Sequence, residues 1–343
     1  MAFNGDMEAT TQQRAEGHHG STLANVAARA GVSLKTASRV LRGEPNVSAD
    51  KTARTLAAAR ELGYRRNAAA SLLAQGRGLQ TVGLIIGDLT NPFYSAIAQG
   101  FEDEVRSSGL TLMLASHSES PDRERSLAAN LADAGAQAIV VASSADYHDS
   151  YAPLISREVA VVFVDRPPRG VEADTVVFDD ESAGRAAAEH LADGGHRHIA
   201  FIGDYEWLPT SRARLEGVRQ ALQERFGDET NIHAAFDVHD GEAARHVVRK
   251  LLALPTPPSA IIAGNNLVFA GVVEETQSAD REIALVGFDD VEWARLLGLT
   301  VVATDGREMG QSAARLVLAR IKDPSRPVQT VVLRAPLVVR QRR

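Results

Sequence analysis

The 343-residue chain contains no cysteine. That excludes a disulfide framework, thiolate metal ligands and thiol nucleophiles together. No run reaches the roughly 18 apolar residues that a bilayer-spanning helix needs, so no membrane contact is expected. The first twenty residues lack a basic start followed by an apolar stretch. A signal peptide is therefore not expected, and the cytoplasm is the expected location. Phosphate-cradling loops of the GxxxxGK[ST] and GxGxxG types are absent, as is the GxSxG nucleophile elbow. These absences leave no support for nucleotide binding through such loops or for serine hydrolase chemistry. No catalytic residue, cofactor or metal site is expected, and the chain does not read as an enzyme.

What is present favours a packed protein. Hydrophobic residues make up 44% of the chain, enough to exclude global disorder. The length suits two or three domains. A formal net charge of −7 argues against nucleic acid when taken alone. Its distribution argues the other way: nine basic side chains and three acidic ones lie between Ser21 and Arg66. A basic head on an acidic body is the footprint of a DNA-binding segment joined to something else.

Residues 21–43, STLANVAARAGVSLKTASRVLRG, carry the densest pattern. Val26, Ala27 and Ala30 form a small apolar face, and Gly31 ends the first short helix. Ser33 is placed to cap a second, whose exposed face carries Leu34, Lys35, Thr36, Ser38 and Arg39. Two short helices around a glycine turn make the helix-turn-helix layout, in which the second helix enters the major groove. Ser48 is expected to cap a third helix running to about Leu62, with Gly63 as its stop. Ala53, Leu56, Ala57 and Leu62 are the positions expected to close the three-helix bundle. Residues 67–76, helix-prone and flanked by Arg66 and Arg77, link this head to the body.

From Thr81 onward, apolar runs alternate with amphipathic helices. TVGLIIGD, TLMLAS, AIVVAS, VAVVFVD, HIAFIG, AIIAG and IALVGFDD read as strands, and VVLRAPLVVR is a last strand-like run. Helices are expected near residues 94–108 and 123–134. Near-continuous apolar strands separated by helices imply parallel sheets covered on both faces. Seven or more in about 250 residues exceed one compact sheet, so two α/β lobes are expected. Residues 165–170, DRPPRG, and 254–259 read as connectors. The pairs Asp179-Asp180 and Asp289-Asp290 read as solvated charges at loop ends, and His196 with His198 lacks a third metal ligand nearby.

These ordered blocks resemble the lactose-repressor/galactose-repressor family of bacterial transcription regulators over roughly residues 21–340. TLANVAARAGVSLKTASRVLRG and NVSADKTARTLAAARELGY are similar to its DNA-binding head. DLTNPFYSAIAQGFEDEVRSSG, GRAAAEHLADGGHRHIAFIG, SRARLEGVRQAL and IALVGFDD are similar to its effector domain. The resemblance implies a helix-turn-helix head on a two-lobed, periplasmic-binding-protein-like body with parallel sheets. Its expected divisions are a disordered tail (1–20), a DNA-binding domain (21–66) and a hinge helix or linker (67–78). An effector-binding and dimerisation domain follows (79–343), with a first lobe of about 79–177 and 306–333. The second lobe takes about 178–305 and 334–343.

By the same resemblance, Leu34, Lys35 and Arg39 fall where the recognition helix reads base edges. Lys35 and Arg39 can donate to guanine, and Leu34 can touch a thymine methyl. Ser33, Thr36 and Ser38 suit phosphates. Asn67 opens the hinge, and Leu73 matches the leucine that wedges into the minor groove, with Leu72 beside it. Arg66 stands where the family usually has proline. Asp88, Asn91 and Phe93 match a ligand-facing loop, Arg214 a ligand-gripping guanidinium, Asn265 an amide, and Asp289 a carboxylate. Phe178 and Phe236 are expected as apolar walls. Asn265-Asn266 replaces the usual Asn-Asp, so the resemblance does not extend to the effector's identity. The implied protein is a ligand-responsive DNA-binding regulator, by default a repressor. It would bind a pseudo-palindromic operator as a homodimer, switched by a sugar-like metabolite between the lobes. A small-molecule-binding protein of the transport type is the other class compatible with the body. The basic head and the lack of a leader count against it.

Overall fold

The computed structural model describes residues 22–64, 80–279 and 281–340. They fall into two compact units, one within residues 1–78 and one within 79–343. The expected tail and hinge, with Asn67 and Leu73, lie outside the described residues.

Three helices make the first unit: α1 (Leu23–Ala30), α2 (Leu34–Leu41) and α3 (Ala49–Glu61). Thr22 and Ser33 cap the first two through side-chain oxygens that accept from Asn25 N and Thr36 N. Gly31 ends α1 at φ 63°, a left-handed conformation that glycine adopts without steric cost. This permits the tight turn into α2. Ser48 stands at the N-cap position of α3, but its side chain makes no capping hydrogen bond. Val26, Ala30, Ala58 and Ala59 form the small core, with Val32, Leu41, Leu62 and Tyr64 packed around it.

The face of α3 expected to close the bundle is corrected here. Ala53, Leu56 and Ala57 are exposed, while Thr55, Ala58 and Ala59 are buried. Thr55 tolerates burial because its hydroxyl donates to Lys51 O in its own helix at 2.7 Å. An alanine-rich helix offers two faces of similar polarity, and this satisfied threonine decides between them.

The second unit holds two six-stranded sheets. The first contains β1 (Thr81–Ile86), β2 (Thr111–Ser116), β3 (Ala138–Val141), β4 (Ala160–Val164), β5 (Asp174–Phe178) and, much later, β11 (Thr330–Leu333). The second contains β6 (His198–Ile202), β7 (Asn231–Ala235), β8 (Ala260–Ala263), β9 (Ala284–Phe288), β10 (Thr300–Val302) and β12 (Leu337–Val338). The strand orders are β11-β5-β4-β3-β1-β2 and β12-β10-β9-β8-β6-β7. Every pairing is parallel except β10 with β12.

On the first lobe lie α4 (Pro92–Ser107), α5 (Pro121–Asp133) and α6 (Ala152–Ser156). On the second lie α7 (Asp180–Asp193), α8 (Pro209–Phe226), α9 (Gly241–Leu252), α10 (Asn266–Thr276) and α11 (Glu292–Leu296). Helix α12 (Gly306–Lys322) packs back against α4 on the first lobe. The chain therefore passes between lobes after β5, after β10 and after β11. The last strand-like run, VVLRAPLVVR, splits at Arg334 to Pro336 and serves both sheets.

Helices α7 and α8 touch backbone to backbone. A Cβ on Gly184 would overlap the carbonyl oxygen of Arg214, and one on Gly217 would overlap that of Glu181. Glycine is required there because any side chain would push apart the two helices that carry Asp180 and Arg214.

Candidate nucleic-acid interface and ligand cleft

In the head, Ala37 and Val40 pin α2 to the core while Ser33, Leu34 and Lys35 stay exposed. Leu34 is 54% exposed, so it is not a packing residue of the bundle. An apolar side chain beside an exposed lysine at the start of this helix is available for a groove. The other expected contacts are partly engaged. The Ser33 and Thr36 hydroxyls share a hydrogen bond at 2.9 Å. Arg39 donates to Glu44 at 3.2 Å and to Pro45 O at 2.9 Å, and Glu44 also pairs with Arg42. Glu44, in the segment that follows α2, thus neutralises part of the basic surface. Arg39 must exchange Glu44 for a base before it can read one.

In the body, a cavity of about 370 Å³ opens at the carboxyl ends of the strands. Open α/β sheets bind ligands there because strand ends and helix N-termini converge at the switch in strand order. Both sheets have that switch, between β1 and β3 and between β6 and β8. Asp88, Asn91, Phe93, Arg214, Asn265 and Asp289 all line the cavity. Phe178 and Phe236 do not, which corrects their expected role as walls. Phe178 is buried in the first lobe's core against the Phe93 ring, and Phe236 packs on Phe201 in the second. Their apolar area is worth more inside the lobes than in a polar cleft.

The six cavity residues are held in place by local structure. Asp88 accepts from the amide and hydroxyl of Thr90, each at 2.8 Å. Asn91 caps α4 by accepting from Phe93 N, and Asn265 caps α10 by accepting from Val268 N. Asn265 also donates to Asp204 at 3.1 Å. The Arg214 guanidinium lies 4.3 Å from the Phe288 ring centre. Its Nε donates to Asp180 at 2.6 Å and one amino nitrogen to Gly264 O at 2.6 Å. The second amino nitrogen has no hydrogen-bond partner among the described residues.

Asp180 and Asp289 are buried, so their reading as solvated loop-end charges is also corrected. Burial pushes the Asp180 carboxyl up, against the opposing pull of Arg214. Asp289 sits in the left-handed region at φ 72° and accepts from Asn266 N, Asn266 Nδ2 and the Thr304 hydroxyl. Asn266 also donates across the lobes to Asn91 Oδ1 at 2.9 Å. Of the pairs, Asp179 caps α7 and Asp290 meets Arg340.

Several cavity residues escaped the sequence reading. Arg166 donates to both Glu119 oxygens at 2.8 and 3.0 Å, to Ser143 O at 2.8 Å and to Tyr94 Oη at 3.1 Å. Burial pushes the Tyr94 phenol far above its usual range, so it stays protonated. Asp165 is 8% exposed, and its carboxylate accepts no hydrogen bond among the described residues. Burial raises it to about 6 despite Arg166 Nε at 3.6 Å. His239 stacks on Tyr205 with ring centres 3.7 Å apart and turns Nδ1 to Asp204 at 2.6 Å. The sequence did hold a sign of this. The strand runs LIIGD, VFVD, FIGD and VGFD each end on an aspartate, and Asp88, Asp165, Asp204 and Asp289 meet at the cavity.

Residues 22–67 match the family described as bacterial regulatory proteins, lacI family, and residues 188–341 match the periplasmic binding protein-like domain. The chain thus carries a lacI-family DNA-binding domain together with a periplasmic-binding-like domain, and the proteins it is similar to are lacI-family regulators. The Escherichia coli (strain K12) ribose operon repressor is 29% identical, covering 93% of this chain and 99% of that protein. A lacI-family transcriptional regulator from Silicibacter pomeroyi is 25% identical with a TM-score of 0.77, covering 93% and 98% of the two chains. The Cra transcriptional dual regulator of Pseudomonas putida, solved with fructose 1-phosphate, is 27% identical with a TM-score of 0.71, covering 77% and 99%. The chain is a ligand-responsive DNA-binding transcription regulator rather than an enzyme. Among the described residues, no helix is long and apolar enough to cross a membrane.

Proposed function

We propose that the chain is a cytoplasmic repressor. Its paired heads occupy the half-sites of a pseudo-palindromic operator, and a sugar-like metabolite bound between its lobes sets its affinity for that operator. The observation that carries this reading is the polar cavity itself. It takes residues from both lobes, so any ligand in it contacts both and favours the lobe arrangement it fits best. The head would correspond to residues 21–66, the hinge to 67–78 and the two-lobed body to 79–343. Leu34, Lys35 and Arg39 would read bases, and Ser33, Thr36 and Ser38 would hold phosphates. Asn67 and Leu73 would act in the hinge, the leucine as a minor-groove wedge. Asp88, Asn91, Phe93, Arg214, Asn265 and Asp289 would contact the effector.

Pairing of two copies is supported by the edge strand β2, where Met113 and Leu114 are 42% and 43% exposed, and by exposed Leu296 and Leu297. Apolar side chains gathered on an edge strand mark a surface that another chain covers. A two-fold dimer then explains a two-fold operator. A repressor role is supported by the similarity to the ribose operon repressor. A gel-shift with genomic fragments from around the gene tests the reading. Sequence-selective binding that weakens steeply with salt is expected, and binding indifferent to sequence would overturn it.

A further inference from the structure

We propose that the cleft selects an effector that donates hydrogen bonds and carries no phosphate, a polyol or an amine-bearing polyol, and rejects phosphate esters. This rests on the reading of the cleft as the effector site. The charged groups that ordinarily hold a phosphate are engaged by the protein itself. The Arg166 guanidinium is clamped by both oxygens of Glu119, by Ser143 O and by Tyr94. Arg214 is neutralised by Asp180 and keeps one amino nitrogen. His239 faces Asp204. Helix N-termini bind anions when their amides are open. Here Asn91 caps α4, and Asn265 and Asp289 both accept from amides at the start of α10, so of the described helix starts at the cavity only that of α8, at Thr210 and Ser211, carries no side-chain cap.

The cavity's charge points the same way. Asp88, Glu119, Asp165, Asp204 and Asp289 line it against Arg166 and Arg214. Asp165 is the most telling, because it is nine-tenths buried and accepts no hydrogen bond. Its carboxylate faces the cavity without a protein donor, and a hydroxyl or ammonium group brought by the ligand would supply one. A phosphate dianion would instead add repulsion to a site where carboxylates outnumber guanidinium groups.

Two measurements on the full-length protein test this. The first is thermal shift and calorimetry with matched sets: ribose and ribose 5-phosphate, fructose and fructose 1-phosphate, and glucose, glucosamine and glucose 6-phosphate. Any stabilising set is expected to favour the unphosphorylated member by at least about tenfold in affinity. A phosphate ester that binds more tightly than its parent overturns the proposal. The second uses inorganic phosphate on the wild type and on Glu119→Gln, which removes the nearer of Arg166's two counter-charges and leaves Asp165. The variant is expected to gain phosphate-dependent stabilisation that the wild type lacks. Equal stabilisation of both, or of neither, contradicts the proposed cause. If no sugar in the sets shifts the wild type while Glu119→Gln still gains phosphate binding, the selectivity stands. The reading of the cleft as a sugar-effector site is then what fails.

Discussion

Asp165 shows how a single carboxylate can be costly to the fold and useful to the site. Its carboxyl is raised to about 6 by burial, against an ordinary value near 4. The folded protein therefore holds a proton between about pH 4 and 6 that the unfolded chain releases, and stability falls as pH rises through that window. Above it, the cost of the buried charge is fully present. Asp165→Asn should raise the stability of the empty protein by about 2–3 kcal/mol at pH 7.5, with the gain vanishing near pH 4. Melting curves of both proteins across that range check it, and the same variant should bind effector less tightly. In the head, exposed Lys35 makes no ion pair among the described residues, whereas Arg39 is already paired with Glu44. Lys35→Ala should cost about 1–3 kcal/mol at one operator base pair and relax preference there. Equal loss on every sequence in a gel-shift would assign Lys35 to phosphate.

The elements were more legible than the residues that finish the site. Gly31, Ser33 and Gly63 punctuate the head as the sequence implies, because left-handed turns and side-chain caps depend only on neighbouring residues. Strands β3, β4 and β8 are wholly apolar runs, β1 is apolar after Thr81, and all four stand out. Asn231–Ala235, a half-exposed edge strand, and the three-residue Thr300–Val302 do not, since little local pattern separates them from loops. Asp165 and Arg166 were hidden in a proline-rich connector because only the fold brings them opposite Asp204 and Arg214. Phe178 and Phe236 erred the other way, since an aromatic at a strand end looks the same whether it faces core or cleft. Helix packing gives this scale its own test. Gly184→Ala would drive a methyl group into the Arg214 carbonyl. It should destabilise the body by about 1–3 kcal/mol and weaken effector binding, both visible in thermal shift with and without ligand.

At the scale of the whole molecule, the cavity and one hydrogen-bonded link do related work. Asn266 joins Asn91 on one lobe to Asp289 on the other, so the lobe arrangement is held by groups at the proposed ligand site. The asparagine that departs from the family's usual acid makes this link possible, since an ionised side chain could not donate to both partners. A ligand entering here competes with or reinforces that link, and its differential affinity for the lobe arrangements limits how far it can shift them. Binding at the cleft and at DNA must then be coupled reciprocally. The most direct measurement is operator affinity by fluorescence anisotropy, with and without a metabolite that stabilises the protein, paired with that metabolite's affinity for free and operator-bound protein. The expected result is a change of about fivefold or more in operator affinity, matched by an equal factor in metabolite affinity. Operator affinity unchanged at saturating metabolite would contradict the account.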